Sequence, residues 1–246
     1  MSLTKKDLSI LDKFAFQVPV TGVNFLVEKP EKMERLKGKM ALCEMLKLAQ
    51  EGNVFYSGLD NHDCGGGKHV IGGEVEPAYT NGQFGAGLQV FCDAHTASNM
   101  YNYLPSIEKG KVNYISFGPL SKLDAVPDVT VIVADADQAE IIMRASTYRT
   151  GENWNSKWSA VIGCGWLLVY PYLTGKINHH ATGFGHGMKR KKMFPPNMHL
   201  IAIPSNLLPE ILEVLQEMPW EPPAFRPGGS EYVKELCIKL GLIPRG

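Results

Sequence analysis

Residues 112–145 read VNYISFGPLSKLDAVPDVTVIVADADQAEIIMRA, and the fold class turns on them. Two runs rich in β-branched and aromatic residues, 112–117 and 129–134, read as consecutive strands. Between them stand Gly118, Pro119 and Pro127, which break structure, and no helical period. A doubly wound parallel sheet needs a crossover helix between consecutive strands. The stretch therefore predicts an α+β fold, with a mixed or antiparallel sheet and helices packed on it. Asp135 stands where a helix N-cap is needed, the helical spacing runs on to Tyr148, and Gly151 lies beyond the end.

Working outward, residues 16–27 and 53–59 read as extended chain. The segment 39–50 places Met40, Leu42, Cys43, Leu46 and Ala49 at helical spacing, with Gly52 after it. Glycine-rich residues 60–87 read mostly as turns. Residues 157–162, 176–182 and 200–203 read as strands, and 165–173 and 207–217 as helices. The elements around 171–214 repeat the order of those in 102–145. Tyr103-Leu104 parallels Tyr172-Leu173, 110–113 (GKVN) parallels 175–178 (GKIN), and Pro127 parallels Pro196. This predicts an internal duplication of a helix-strand-strand-helix unit, about 93–145 and 164–215, which pairs its halves to bury apolar faces. The expected organisation is one α+β domain over 1–217, a Pro/Gly-rich linker over 218–229 and a helical tail over 230–246.

Composition narrows the function. The 25 basic residues balance the 25 acidic ones, so the net charge is zero and no general nucleic-acid coat is expected. The basic run 189–192 reads as a solvated loop. Residues 1–14 are charged and amphipathic, without the apolar core of a secretory leader. The longest uncharged stretch, 159–175, is too short to span a membrane and is broken by Gly163, Gly165 and Pro171. Five cysteines, an odd number at low density, argue for reduced thiols in a cytoplasm rather than a disulfide scaffold. No Gly-x-Ser-x-Gly elbow, His-Glu-x-x-His, Rossmann fingerprint or Cys-x-x-Cys occurs, so whether the chain is an enzyme stays open.

Several segments together carry a resemblance. These are Ala41-Leu42-Cys43, then DNHDCGGGKHVIG at 60–72, PDVTVIVADADQAEIIM at 127–143 and YRTGE at 148–152. Cys164 before PYLTG at 171–175, and the strand and helix of 200–215, complete the series. In this order they resemble the domain-of-unknown-function family numbered 169, described as archaeal cysteine-rich, over roughly residues 15–217. The resemblance implies no reaction. The family's Gly-Cys-Arg-Gly-Ser-Arg turn stands here as 185–190, GHGMKR, so His186 replaces a cysteine, and the tail after Pro219 is extra.

Three chemistries compete at the resulting positions. Cys43, Cys64 and Cys164 match family cysteines, and His186 falls where a fourth is expected. Thiolate and imidazole are good ligands for zinc or iron, so the four are candidates for a metal ion or an iron–sulfur cluster. Cys43 and Cys164 fall near predicted helix starts, where the dipole favours thiolate; a buried cysteine also packs as a small hydrophobe. The run Cys64, Gly65, Gly66, Gly67, Lys68 offers backbone N–H groups and a cation to an anion or small ligand, although a tight turn needs the same glycines. Cys64 could instead act as a nucleophile with His62 or His69 as base. Cys92 and His95, three apart on a helix, form a weaker pair. On the strand His179-His180, only one ring can face a given site.

Overall fold

The structure is a computed structural model describing residues 5–182 and 185–244, without the side chains of Lys5, Lys6 and His186. Its centre is one sheet of six strands: β1 (Thr21–Leu26), β2 (Phe55–Gly58), β3 (Tyr114–Pro119), β4 (Val129–Ala134), β5 (Asn178–Ala181) and β6 (His199–Pro204). The order is β2-β3-β1-β4-β6-β5, and every neighbouring pair is antiparallel. The fold is thus α+β with an antiparallel sheet. The two strands of the 112–145 stretch do not bond each other. β1 lies between them, antiparallel to both.

The middle strands are apolar on both faces because both are covered. Val129, Val131 and Val133 of β4 and Leu200 and Ala202 of β6 join a core with the helix Leu42–Gln50. Ile132 and Ala134, with Ile201 and Ile203, join a second core. The helices Ala136–Thr147 and Leu208–Glu217 and the turns at 9–14 cover that side. The two-residue alternation of a strand feeds two cores at once. Among the described residues, no helix is long and apolar enough to cross a membrane.

One expectation needs correcting and another is not confirmed. The segment 157–162 is irregular, not a strand. Beside β5 its place is taken by a side chain: Lys157 N–H donates to Asn178 Oδ1 (2.9 Å), and Asn178 Nδ2 donates to the Lys157 carbonyl (3.0 Å). The buried amide satisfies backbone groups that strand pairing would have satisfied. The duplication is not confirmed as a whole unit. β4 and β6 pair, and the helices that follow them pack together. However, β5 adjoins β6, whereas β3 is separated from β4 by β1. The tail contains the helix Gly229–Lys239, which leaves Tyr232, Val233, Leu236 and Leu240 exposed.

The start of the helix after β4 is capped as the sequence predicts. Gln138 N–H donates to Asp135 Oδ1 (2.8 Å), and Asp135 N–H donates to Gln138 Oε1 (3.0 Å). Gln138 Nε2 also donates to the Phe14 carbonyl (2.8 Å), tying the N-terminal turns to this helix. Asp135→Ala should cost about 1 kcal/mol of stability, read as a shifted urea midpoint with an unchanged slope.

At the β5–β6 edge, His179 Nε2 and His199 Nδ1 are 2.6 Å apart, with ring centroids 4.8 Å apart and planes within 20°. That centroid spacing is close to the N···N distance plus a ring radius at each end. The rings therefore meet edge to edge, not face to face. Burial first, then the charges of His199 and His180, push His179 down to about 4. The unfolded chain, with His near 6.5, takes up the proton that charges His179 more readily than the folded one. Stability should therefore fall as pH drops from 6.5 towards 4, and His179→Gln should flatten that fall in denaturation midpoints measured across the window. An unchanged slope would contradict the assignment.

Candidate functional site

Three separate elements bring the family-type cysteines together. Cys43 is the second residue of the helix Leu42–Gln50. That helix starts without a side-chain N-cap: Ala41 N–H donates to Glu44 Oε2 instead (2.8 Å). Glu44 also pairs with Lys191 (2.7 Å), which fastens this helix start to the 185–191 segment. Cys64 caps the short helix Gly65–Val70. An isolated bridge between Met40 and His62, with Asp63 N–H donating to the Met40 carbonyl (3.3 Å), aligns the approaches to Cys43 and Cys64. Cys164 precedes the wide π turn Gly165–Val169, a form of helix frequent at functional sites.

The glycines of the second element serve close packing. A Cβ on Gly66 would come within 2.7 Å of Ile162, and one on Gly67 would stand 3.8 Å from Cys164 Sγ. One on Gly65 would fall 2.4 Å from the Tyr79 ring. The bare Gly66 thus lets the helix lie against Ile162, and the bare Gly65 admits the Tyr79 ring, whereas a Cβ on Gly67 would make ordinary contact. Ile162 itself has φ +57°, a left-handed conformation that costs a β-branched residue of order 1–3 kcal/mol. Strain of this kind collects at sites where the surroundings overdetermine the backbone.

The result is a cavity of about 320 Å³. Cys43, Cys64 and Cys164 all line it, and Gly185 and Gly187, which flank His186, line it as well. Aromatic rings from the 77–101 segment, Tyr79, Phe84, Phe91 and Tyr101, form further walls, with Arg190 and Lys191 also in the lining. The His186 side chain lies outside the described residues.

The helix starts do not lower the thiol pKa values as position alone would suggest. Burial pushes Cys43 up to about 11, helped by the nearby charges of Cys64 and Glu44, against Lys191 and the Glu44 N–H. Burial also raises Cys164 well above the ordinary thiol range, followed by Cys64 and Cys43, against the Gly165 N–H. The magnitudes decide it. A rise from 9 to about 11 disfavours the thiolate by ~3 kcal/mol, whereas a helix terminus favours it by ~0.3–1 kcal/mol. All three sulfurs lie within electrostatic reach of one another. Even so, among the described residues no group of three His, Cys, Asp or Glu side chains is arranged to hold a metal ion.

The other candidate residues stand apart. The run Gly65–Lys68 is a helical turn rather than an open loop, Lys68 N–H donates to the Cys64 carbonyl (2.8 Å), and the Lys68 stem packs across Gly73. His62 is buried with Nε2 3.5 Å from Ser57 Oγ, and burial holds it down at about 4. The His69 ring meets the edge of Tyr101. No hydrogen bond joins either histidine to Cys64 among the described residues. Cys92 is exposed, with its Sγ 3.3 Å from Thr96 Oγ1, and Cys237 lies on the tail helix. Sequence reasoning missed the aromatic wall, because Tyr79, Phe84 and Phe91 follow no helix or strand period. It missed the strained Ile162 as well.

These exposures predict a labelling order. Brief alkylation near neutral pH followed by peptide mapping should modify Cys64 and Cys92, which are exposed, and spare buried Cys43 and Cys164 until the chain is unfolded. Equal labelling of Cys164 and Cys64 in the folded protein would overturn this picture of the site.

The family model DUF169, described as uncharacterised ArCR, matches residues 10–214. The chain belongs to that family. No curated protein and no solved structure matches it.

Proposed function

We propose that this member of the uncharacterised ArCR family is a metal-binding protein. Cys43, Cys64 and Cys164 are its ligands for an iron–sulfur cluster or a soft ion such as zinc, and His186 is the fourth. The observation that carries the reading is convergence. Three cysteines distant in sequence, on three different elements, line one cavity, and the turn bearing His186 borders it. The donor set suits the group, since thiolates and imidazole are the ligands that zinc and iron–sulfur clusters take.

The electrostatics point the same way. Ionising Cys43 or Cys164 in the cavity is unfavourable, because both are buried and each also meets the charges of its neighbouring thiols. A bound cation reverses that balance and deprotonates its ligands. For a single tetrahedral ion, ligand sulfurs stand roughly 3.8 Å apart, so the thiols must close together. A cluster spreads its ligands over several irons and asks for less closure. The five cysteines are all free, which suits a reducing compartment such as the cytoplasm.

Anaerobic reconstitution of the full chain with iron and sulfide, and separately with zinc, tests this. Metal and acid-labile sulfide content and visible absorption are the readouts. We expect uptake by the wild type, its loss or severe weakening in Cys43→Ser, Cys64→Ser and Cys164→Ser, and none lost in Cys92→Ser. Uptake that survives Cys64→Ser, or that Cys92→Ser removes equally, rejects the site.

A further inference from the structure

The thiols occupy only part of their cavity, and the remaining wall has its own chemistry. Tyr79, Phe84, Phe91 and Tyr101 bring four aromatic rings to the lining, and Met100 and Ile162 fill between them. The rings are set close to the backbone by glycines. Besides Gly65 against Tyr79, a Cβ on Gly85 would reach 3.3 Å from the Phe91 ring. Tyr79 and Phe84 contact each other at a 4.8 Å centroid distance with their planes inclined by 47°. Phe84 is 47% exposed although it lines this wall.

The charges of the lining are not all committed. Lys191 is held by Glu44 and feels Asp63, the acidic residue of the lining. Arg190 also lines the cavity and is exposed; its charge is felt by Glu44, but among the described residues it makes no ion pair with a carboxylate. A guanidinium whose fork is not engaged offers it to a carboxylate or sulfonate.

We propose that this half of the cavity binds a small aromatic molecule carrying one acidic group, with its ring against the Tyr79–Phe84–Tyr101 wall and its acid on Arg190. A volume of about 320 Å³ lies at the small end of the range for organic ligand sites. Each aromatic contact adds to the area buried, and binding covers Phe84. The site shares its cavity with the proposed metal ligands but does not need them.

The probe is 8-anilinonaphthalene-1-sulfonate, an aromatic monoanion, with N-phenyl-1-naphthylamine as its uncharged counterpart, both read by fluorescence on the full chain. The anion should bind saturably at one site. Arg190→Gln should weaken it about tenfold, the worth of one charge-assisted hydrogen bond, and leave the neutral probe within about twofold. Phe84→Ala should weaken both probes. The doubly substituted tail, Leu236→Ser with Leu240→Ser, should weaken neither. Non-saturable anion binding, equal loss of both probes in Arg190→Gln, or loss that follows the tail substitutions overturns the proposal. Cys64→Ser keeps the tests separate. It removes metal uptake if the thiol reading holds and spares probe binding if this one does.

Discussion

The antiparallel pairing of β4 with β6 is the constraint on which the rest of the molecule hangs. Ile132 faces Ile201 across this ladder, and Val131 faces Ala202, so one side-chain set goes to each face. A strand apolar on both faces must be covered twice. Burying each valine or isoleucine fully yields roughly 1.5–3 kcal/mol. The helices Ala136–Thr147 and Leu208–Glu217 close one face. The Leu42–Gln50 helix and the segment following Cys164 close the other. All three cavity cysteines belong to that second layer or border it, so the cavity is a by-product of how one face is covered.

The parts of this arrangement legible in sequence are those governed by local rules. The Val129–Ala134 strand, the Asp135 cap and the Leu42–Gln50 helix follow from side-chain type and spacing. What stayed hidden depends on contacts made far along the chain. Nothing local announces that β1 inserts between β3 and β4, because that choice is made by which faces need covering. The segment 157–162 has strand composition, yet Asn178 supplies the pairing groups through its side chain. Gly65 to Gly67 carry turn composition. They form a helical turn instead, and the bare Gly65 and Gly66 admit Tyr79 and Ile162 at close range.

The cysteines illustrate the same division. Their positions near helix starts could be read from sequence, and so could the direction of the dipole effect. The degree of burial could not, and burial is the larger influence. A thiol placed at a helix start is therefore not by itself an activated thiol. Cys43 shows the balance: the Glu44 N–H and Lys191 pull its ionisation one way, and desolvation with two neighbouring negative charges pulls harder the other way. In this setting buried Cys43 and Cys164 are held as neutral thiols.

Ile162 ties stability to shape in opposite directions. Its left-handed backbone is unfavourable for a branched side chain, yet that side chain fills the space left by Gly66 and forms part of the cavity wall. Ile162→Gly would relax the backbone while removing the wall. Losing that packed side chain and freeing the unfolded chain would offset the relieved strain. The strained backbone and the wall it carries therefore stand or fall together, and glycine is not a neutral exchange at this position.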